Sequence, residues 1–148
     1  MARLLSLAIL FGVAGCSIFD PFDADAGSFS ATVRGEQQFD LDGSAYYTLS
    51  RQNPLTTSIL LVDTGEPAIE FLFDGGSVRG TVYQIPSDAR ATFELSRYDG
   101  APYRASSGTV EITRVSETEA SGEFSFTAVR NGETVTVRGE FVAEREAE

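Results

Sequence analysis

The stretch from Ser121 to Phe141, SGEFSFTAVRNGETVTVRGEF, limits the possible folds more than any other part of the chain. Asn131-Gly132 is the dipeptide best suited to the two successive positive φ angles of a type I′ turn, whose twist matches that of the flanking strands. A two-residue turn there sets Arg130 opposite Glu133. The same register pairs Ala128 with Val135, Phe126 with Val137, Phe124 with Gly139 and Gly122 with Phe141. Every large apolar side chain except Val129 then shares one face, and Glu123, Ser125, Thr127, Thr134, Thr136, Arg138 and Glu140 share the other. A slip of one residue would send the Phe and Val sets to opposite faces, so burial of one face fixes the register.

The same period of two runs through the chain from Ser28 onward, the signature of strands buried on one side. Phe29, Ala31 and Val33 alternate with polar residues, and a three-residue loop at Gly35-Glu36-Gln37 sets Val33 opposite Phe39 and Ala31 opposite Leu41. Further strands are predicted over 45–51, 57–63, 68–74, 79–85, 90–98 and 108–114, separated by Gly, Pro, Asn and Asp. A turn centred on Thr118 would put Ile112 opposite Phe124 and Val110 opposite Phe126. Residues 143–148 read as a frayed, charged end. No stretch has a helical period with caps. The prediction is an all-β, antiparallel meander of about ten short strands, forming a β-sandwich or a strongly curved or closed barrel.

Composition narrows the chemistry. The chain contains no His and a single Cys, Cys16. No Ser-His-Asp triad, Cys-His pair, zinc hydrolase site or histidine general base can be assembled, and no intramolecular disulfide can form. The expectation is a protein that is not an enzyme, with no catalytic residues, no cofactor and no metal. The 22 acidic residues against 11 basic ones, all Arg, give a formal net charge of −11 and argue against nucleic acid as a partner. An acidic, lysine-free chain suits high salt, and a genome rich in Arg codons explains the missing Lys equally well.

At the N-terminus, Arg3 precedes an apolar run from Leu4 to Val13. Ten residues span only ~15 Å as a helix, about half of a bilayer's hydrocarbon core, so 1–15 reads as a signal peptide and not as a membrane span. Val13-Ala14-Gly15-Cys16 resembles the bacterial lipobox. That resemblance implies cleavage before Cys16 and a diacylglycerol on its sulfur, so Cys16 is the predicted lipidation site and the membrane is a partner through that lipid. Two or three acyl chains suffice for stable anchoring at ~0.8 kcal/mol per buried methylene. Ser17 stands where an inner-membrane retention signal usually has Asp, which favours the outer membrane of a two-membrane bacterium. Residues 16–27, with Asp20, Asp23 and Asp25, form an acidic tether; they lack the ordered ligand series of a calcium loop. Residues 28–148 make up a single β domain.

Ser121-Gly122, Phe124-Ser125-Phe126, Ala128, Gly132, Val135, Val137, Gly139 and Phe141 resemble the closing motif of a bacterial lipoprotein family. Ser107-Gly108-Thr109-Val110 with Ile112, and Phe29, Ala31, Val33 and Gly35, fit the same pattern. The function of that family is unknown, so the resemblance implies an envelope location and transfers no catalytic residues.

Other constellations have simpler readings. Asp40 and Asp42 flank Leu41 on one outward face, as a solvated strand edge does. Tyr46, Tyr47, Tyr83, Tyr98 and Tyr103 can line a binding surface but also serve as ordinary strand packing. Arg79, Arg90, Arg97 and Arg104 can gather on an anion or pair with nearby carboxylates. Two functions fit: a non-enzymatic structural or interaction lipoprotein meeting another envelope protein, or a small-molecule carrier or receptor with a lipocalin-like pocket. The bulk of the inward set, which includes Phe29, Phe71, Phe73, Phe93, Phe124, Phe126 and Phe141, favours the first. The ligand-binding residues, the partner and the oligomeric state are not specified by the sequence.

Overall fold

The computed structural model describes residues 27–50, 56–63, 66–75, 78–95 and 100–146. The predicted signal peptide, Cys16, the predicted tether up to residue 26, Arg97 and Tyr98 lie outside the described residues. Among the described residues nine strands follow one another: β1 (Ser28–Gly35), β2 (Phe39–Ser50), β3 (Thr56–Asp63), β4 (Glu66–Asp74), β5 (Val82–Ile85), β6 (Ala89–Phe93), β7 (Tyr103–Val115), β8 (Glu119–Arg130) and β9 (Glu133–Arg145). Each of β1 to β3 pairs with the next, β4 pairs with β6, β6 with β7, and so on to β9, which pairs back onto β1. The result is a closed eight-stranded antiparallel barrel with one extra strand, β5.

The β8–β9 hairpin has the register its sequence dictates, from Arg130 opposite Glu133 to Gly122 opposite Phe141. Asn131 has φ 52° and Gly132 φ 90°, the two positive angles of the turn. Phe124, Phe126, Val135, Val137 and Phe141 are buried, and Val129, the exception to the pattern, is exposed. The β1–β2 pairing of Val33 with Phe39 and Ala31 with Leu41 also follows the predicted loop.

Three other expectations are corrected. The predicted strands over 39–41 and 45–51 are one strand, β2, running through Gly43; a Cβ there would lie 2.1 Å from the Val62 carbonyl oxygen, so glycine marks a close approach to β3 and not a turn. This fusion reduces ten strands to nine. Val110 faces Phe124 and Ile112 faces Gly122, two residues away from the expected register. A two-residue slip keeps every side chain on its face, so burial cannot detect it. The choice is set at Gly108, where a Cβ would meet Phe126 Cα at 2.5 Å, and by a turn in which Ser116 Oγ accepts from the Glu119 backbone N at 3.0 Å. Finally, residues 143–146 are not frayed, and 147–148 lie outside the described residues. Ala143 is fully buried, the Arg145 N donates to the Thr118 O, and the Glu146 N donates to the Tyr47 O.

β5 and β6 are shorter than the predicted 79–85 and 90–98. They lie end to end along the same edge of β7: Ile85 pairs with Gly108, and Thr92 with Arg104. Between them the Gln84 N donates to Asp88 Oδ2 at 3.0 Å and the Asp88 N returns to the Gln84 O at 2.8 Å. These bonds occupy strand-edge groups that would otherwise be open to pairing.

The inward faces fill the barrel. The Phe71 ring on β4 packs with its centroid 5.1 Å from that of Phe124, 5.9 Å from Phe126 and 6.4 Å from Phe141. Since β9 lies diametrically across the barrel from β4, the Phe71–Phe141 contact spans the lumen. The large rings are accommodated by small partners. Phe29 stands opposite Gly43, Phe71 opposite Ala91, Phe73 opposite Ala89, Phe124 opposite Gly139, Phe126 opposite Gly108 and Phe141 opposite Gly122. Alternating large and small groups in this way packs a small barrel without strain. Burial of each such Phe contributes roughly 1.5–3 kcal/mol. The one fully buried polar side chain among the described core residues, Thr57, donates its hydroxyl to the Gly75 O.

Candidate functional site

The two ends of the barrel differ. One end carries the β1–β2 and β8–β9 turns and the start of β7; the chain enters at the opposite end, where the Ala45 N donates to the Gly27 O at 2.8 Å. Val78, buried in the loop after β4, and Tyr83, edge-on to Phe73 at 4.9 Å, belong to that second end.

The first mouth holds the most organised polar cluster. Tyr103 opens β7 opposite Phe93, and its ring packs on Phe93 at 5.6 Å, while Phe39 also packs on Phe93, at 6.1 Å. The Tyr103 hydroxyl donates to Glu133 Oε2 at 2.7 Å and accepts from Arg130 Nη2 at 3.3 Å. The Arg130 guanidinium lies 4.3 Å from the Tyr103 ring centroid and 3.6 Å from Glu133. Burial, reinforced by the bond to Glu133, holds the phenol above its ordinary pKa, although Arg130 pulls it down. Tyr103 is therefore a proton donor at neutral pH and not a base. The cluster ties the β8–β9 turn to the start of β7 at this mouth through its hydrogen bonds and its cation–π contact.

The residues singled out by sequence do not converge. Asp40 and Asp42 both point outward, and Asp40 pairs with Arg34 at 3.0 Å. Tyr47 and Tyr103 are buried, Tyr83 packs on the core and Tyr46 is on the outer surface. Arg90 pairs with Asp74 at 3.3 Å, while Arg79 and Arg104 stand exposed on different elements. Arg130 and Glu133 were legible as neighbours across the turn, but Tyr103 was not, because the serines at 106 and 107 interrupt the alternation of β7 at a bulge.

The outer wall bears a second electrostatic feature. Glu111 faces Glu123 across β7–β8, and Glu123 faces Glu140 across β8–β9. Like charges directly opposite one another disfavour the sheet. Burial first, and then the Glu123 charge, raise the pKa of the Glu140 carboxyl. Among the described residues no three His, Cys, Asp or Glu are placed to hold a metal ion, and no helix is long and apolar enough to cross a membrane.

Compared with family models, curated proteins and solved structures, the chain matches none.

Proposed function

We propose that the chain is a membrane-anchored bacterial lipoprotein of the cell envelope whose barrel acts as a non-enzymatic structural or interaction domain. The observation that carries this reading is the aromatic contact across the lumen: Phe71 reaches Phe124, Phe126 and Phe141, so bulky side chains occupy the space where a barrel carrier holds its ligand. The lipobox-like Val13-Ala14-Gly15-Cys16 supplies the anchor, with the outer membrane as destination. Tethered through Cys16, the barrel holds its chain-entering end toward the lipid and its Tyr103 mouth away from it, leaving the far turns and outer walls for an envelope protein partner. Cys16→Ser tests the anchor. Its expected product is an uncleaved or soluble precursor without radiolabelled lipid; normal processing and membrane retention would refute it.

The closed eight-stranded meander favours a second reading, a lipocalin-like carrier or receptor, since barrels of this size hold small ligands in their mouths. Native mass spectrometry of protein purified from its own host separates the two. A bare chain mass supports the scaffold, and a stoichiometric co-purifying small molecule supports the carrier.

A further inference from the structure

We propose that Asn131-Gly132 is a site of spontaneous covalent modification, at which the β8–β9 turn at the barrel mouth deamidates through a succinimide. The reaction needs a side-chain carboxamide followed by a main-chain nitrogen that carries a proton and is not shielded. The chain has two asparagines. Asn53 precedes Pro54, whose nitrogen has no proton to lose, so Asn131 is the one asparagine that can cyclise forward.

Its surroundings favour the attack. Asn131 and Gly132 are exposed, and nothing lies within 4 Å of where a Gly132 Cβ would be. Neither residue makes a hydrogen bond with the described residues, so neither the carboxamide nor the Gly132 N–H is held back. The deprotonated Gly132 nitrogen attacks Asn131 Cγ, the Cγ–Nδ2 bond breaks, ammonia leaves and a five-membered ring closes. Water then adds to one of the two ring carbonyls. One opening leaves an aspartyl residue with an ordinary backbone; the other leaves an isoaspartyl linkage with one more carbon in the main chain. Either product places a new carboxylate beside Glu133, in the cluster where Arg130 already serves both Glu133 and Tyr103. The isoaspartyl form also lengthens a turn whose two residues fit their positive φ angles closely. The modification thus acts on the contacts that join the β8–β9 turn to Tyr103.

The Asp-Gly pairs at Asp42, Asp74 and Asp99 can isomerise through the same ring without a change in mass, so a mass gain from asparagine has a single source. The test is to incubate the purified full-length chain, folded, at neutral and mildly alkaline pH and to map it with trypsin, which releases residues 131–138. The expected result is conversion of NH2 to OH in that peptide, faster at the higher pH, with isoaspartate detected by enzymatic methyl transfer. Asn131→Gly, which keeps a residue at ease with positive φ, is expected to fold and to lose the signal. Two results would overturn the proposal: an unmodified 131–138 peptide in folded protein while urea-unfolded protein converts, or an equal mass gain in the Asn131→Gly chain.

Discussion

The two sides of the barrel are built differently. β7, β8 and β9 are 13, 12 and 13 residues long and pair along almost their whole length. Beyond the edge of β7 a single place in the wall is shared by β5 and β6, of 4 and 5 residues, with the Gln84–Asp88 turn between them. The long side is held by its ladders. The short side is held by what it packs against, since Tyr83 of β5 lies on Phe73 of β4, and Phe71 of the same strand reaches the aromatic cluster of β8 and β9. A barrel therefore closes without eight continuous strands, provided that the side chains inside it bridge the weak sector.

This contrast can be broken experimentally, and the largest effect is expected from Phe71→Ala. Removing the ring that joins the sides should cost about 3–5 kcal/mol in equilibrium urea unfolding, in one transition. Two separated transitions would mean that the sides are independent units. Gly139→Ala, on the long side, should cost about 1–3 kcal/mol, because a Cβ would lie 2.2 Å from the Ser30 carbonyl oxygen and 2.7 Å from Phe124 Cζ; an unchanged thermal midpoint would show the β1–β9 contact to be looser than described. Asp88→Ala should cost about 1 kcal/mol or less and act locally. Hydrogen exchange at the Gln84 amide should quicken while β8 and β9 stay protected, and faster exchange throughout would make the short side the keystone instead.

The smallest expected change is a gain. Glu123→Gln relieves the Glu111–Glu123–Glu140 row and should stabilise the barrel by about 0.2–1 kcal/mol at neutral pH, read from chemical denaturation. Because the folded-state pKa of Glu140 is raised, folding favours its protonated form. The associated penalty is present above that pKa and is relieved as the pH falls through it. In Glu123→Gln this part of the pH dependence should flatten.

What the sequence disclosed follows the same division. The β8–β9 register was legible because a turn dipeptide and an apolar face chose it independently, and the β1–β2 register because only one loop length matched Val33 to Phe39. The β7–β8 register was not, since the two candidate alignments bury the same side chains. The signal that separates them is the pairing of glycine with phenylalanine. Gly108 belongs opposite Phe126 for the reason that Gly122 belongs opposite Phe141. The Tyr103 cluster was half visible, as Arg130 and Glu133, and its third member was hidden behind the bulge at Ser106. The strand limits of β5 and β6 depend on Asp88 capping Gln84, a contact that no hydrophobic period records.

The seam between β1 and β9 sets the order of assembly. Phe29 is made early and its neighbour Phe141 among the last, so the first strand waits through synthesis of nearly the whole domain for its second partner. Contacts so distant in sequence slow folding, because the chain must close its longest loop before that pairing contributes. Until β9 exists, β1 and β8 each keep an unpaired edge, the usual template for joining another chain. A ribosome stalled before residue 133, or a protease removing the last strand, would release a sheet with two adhesive borders instead of a smaller barrel.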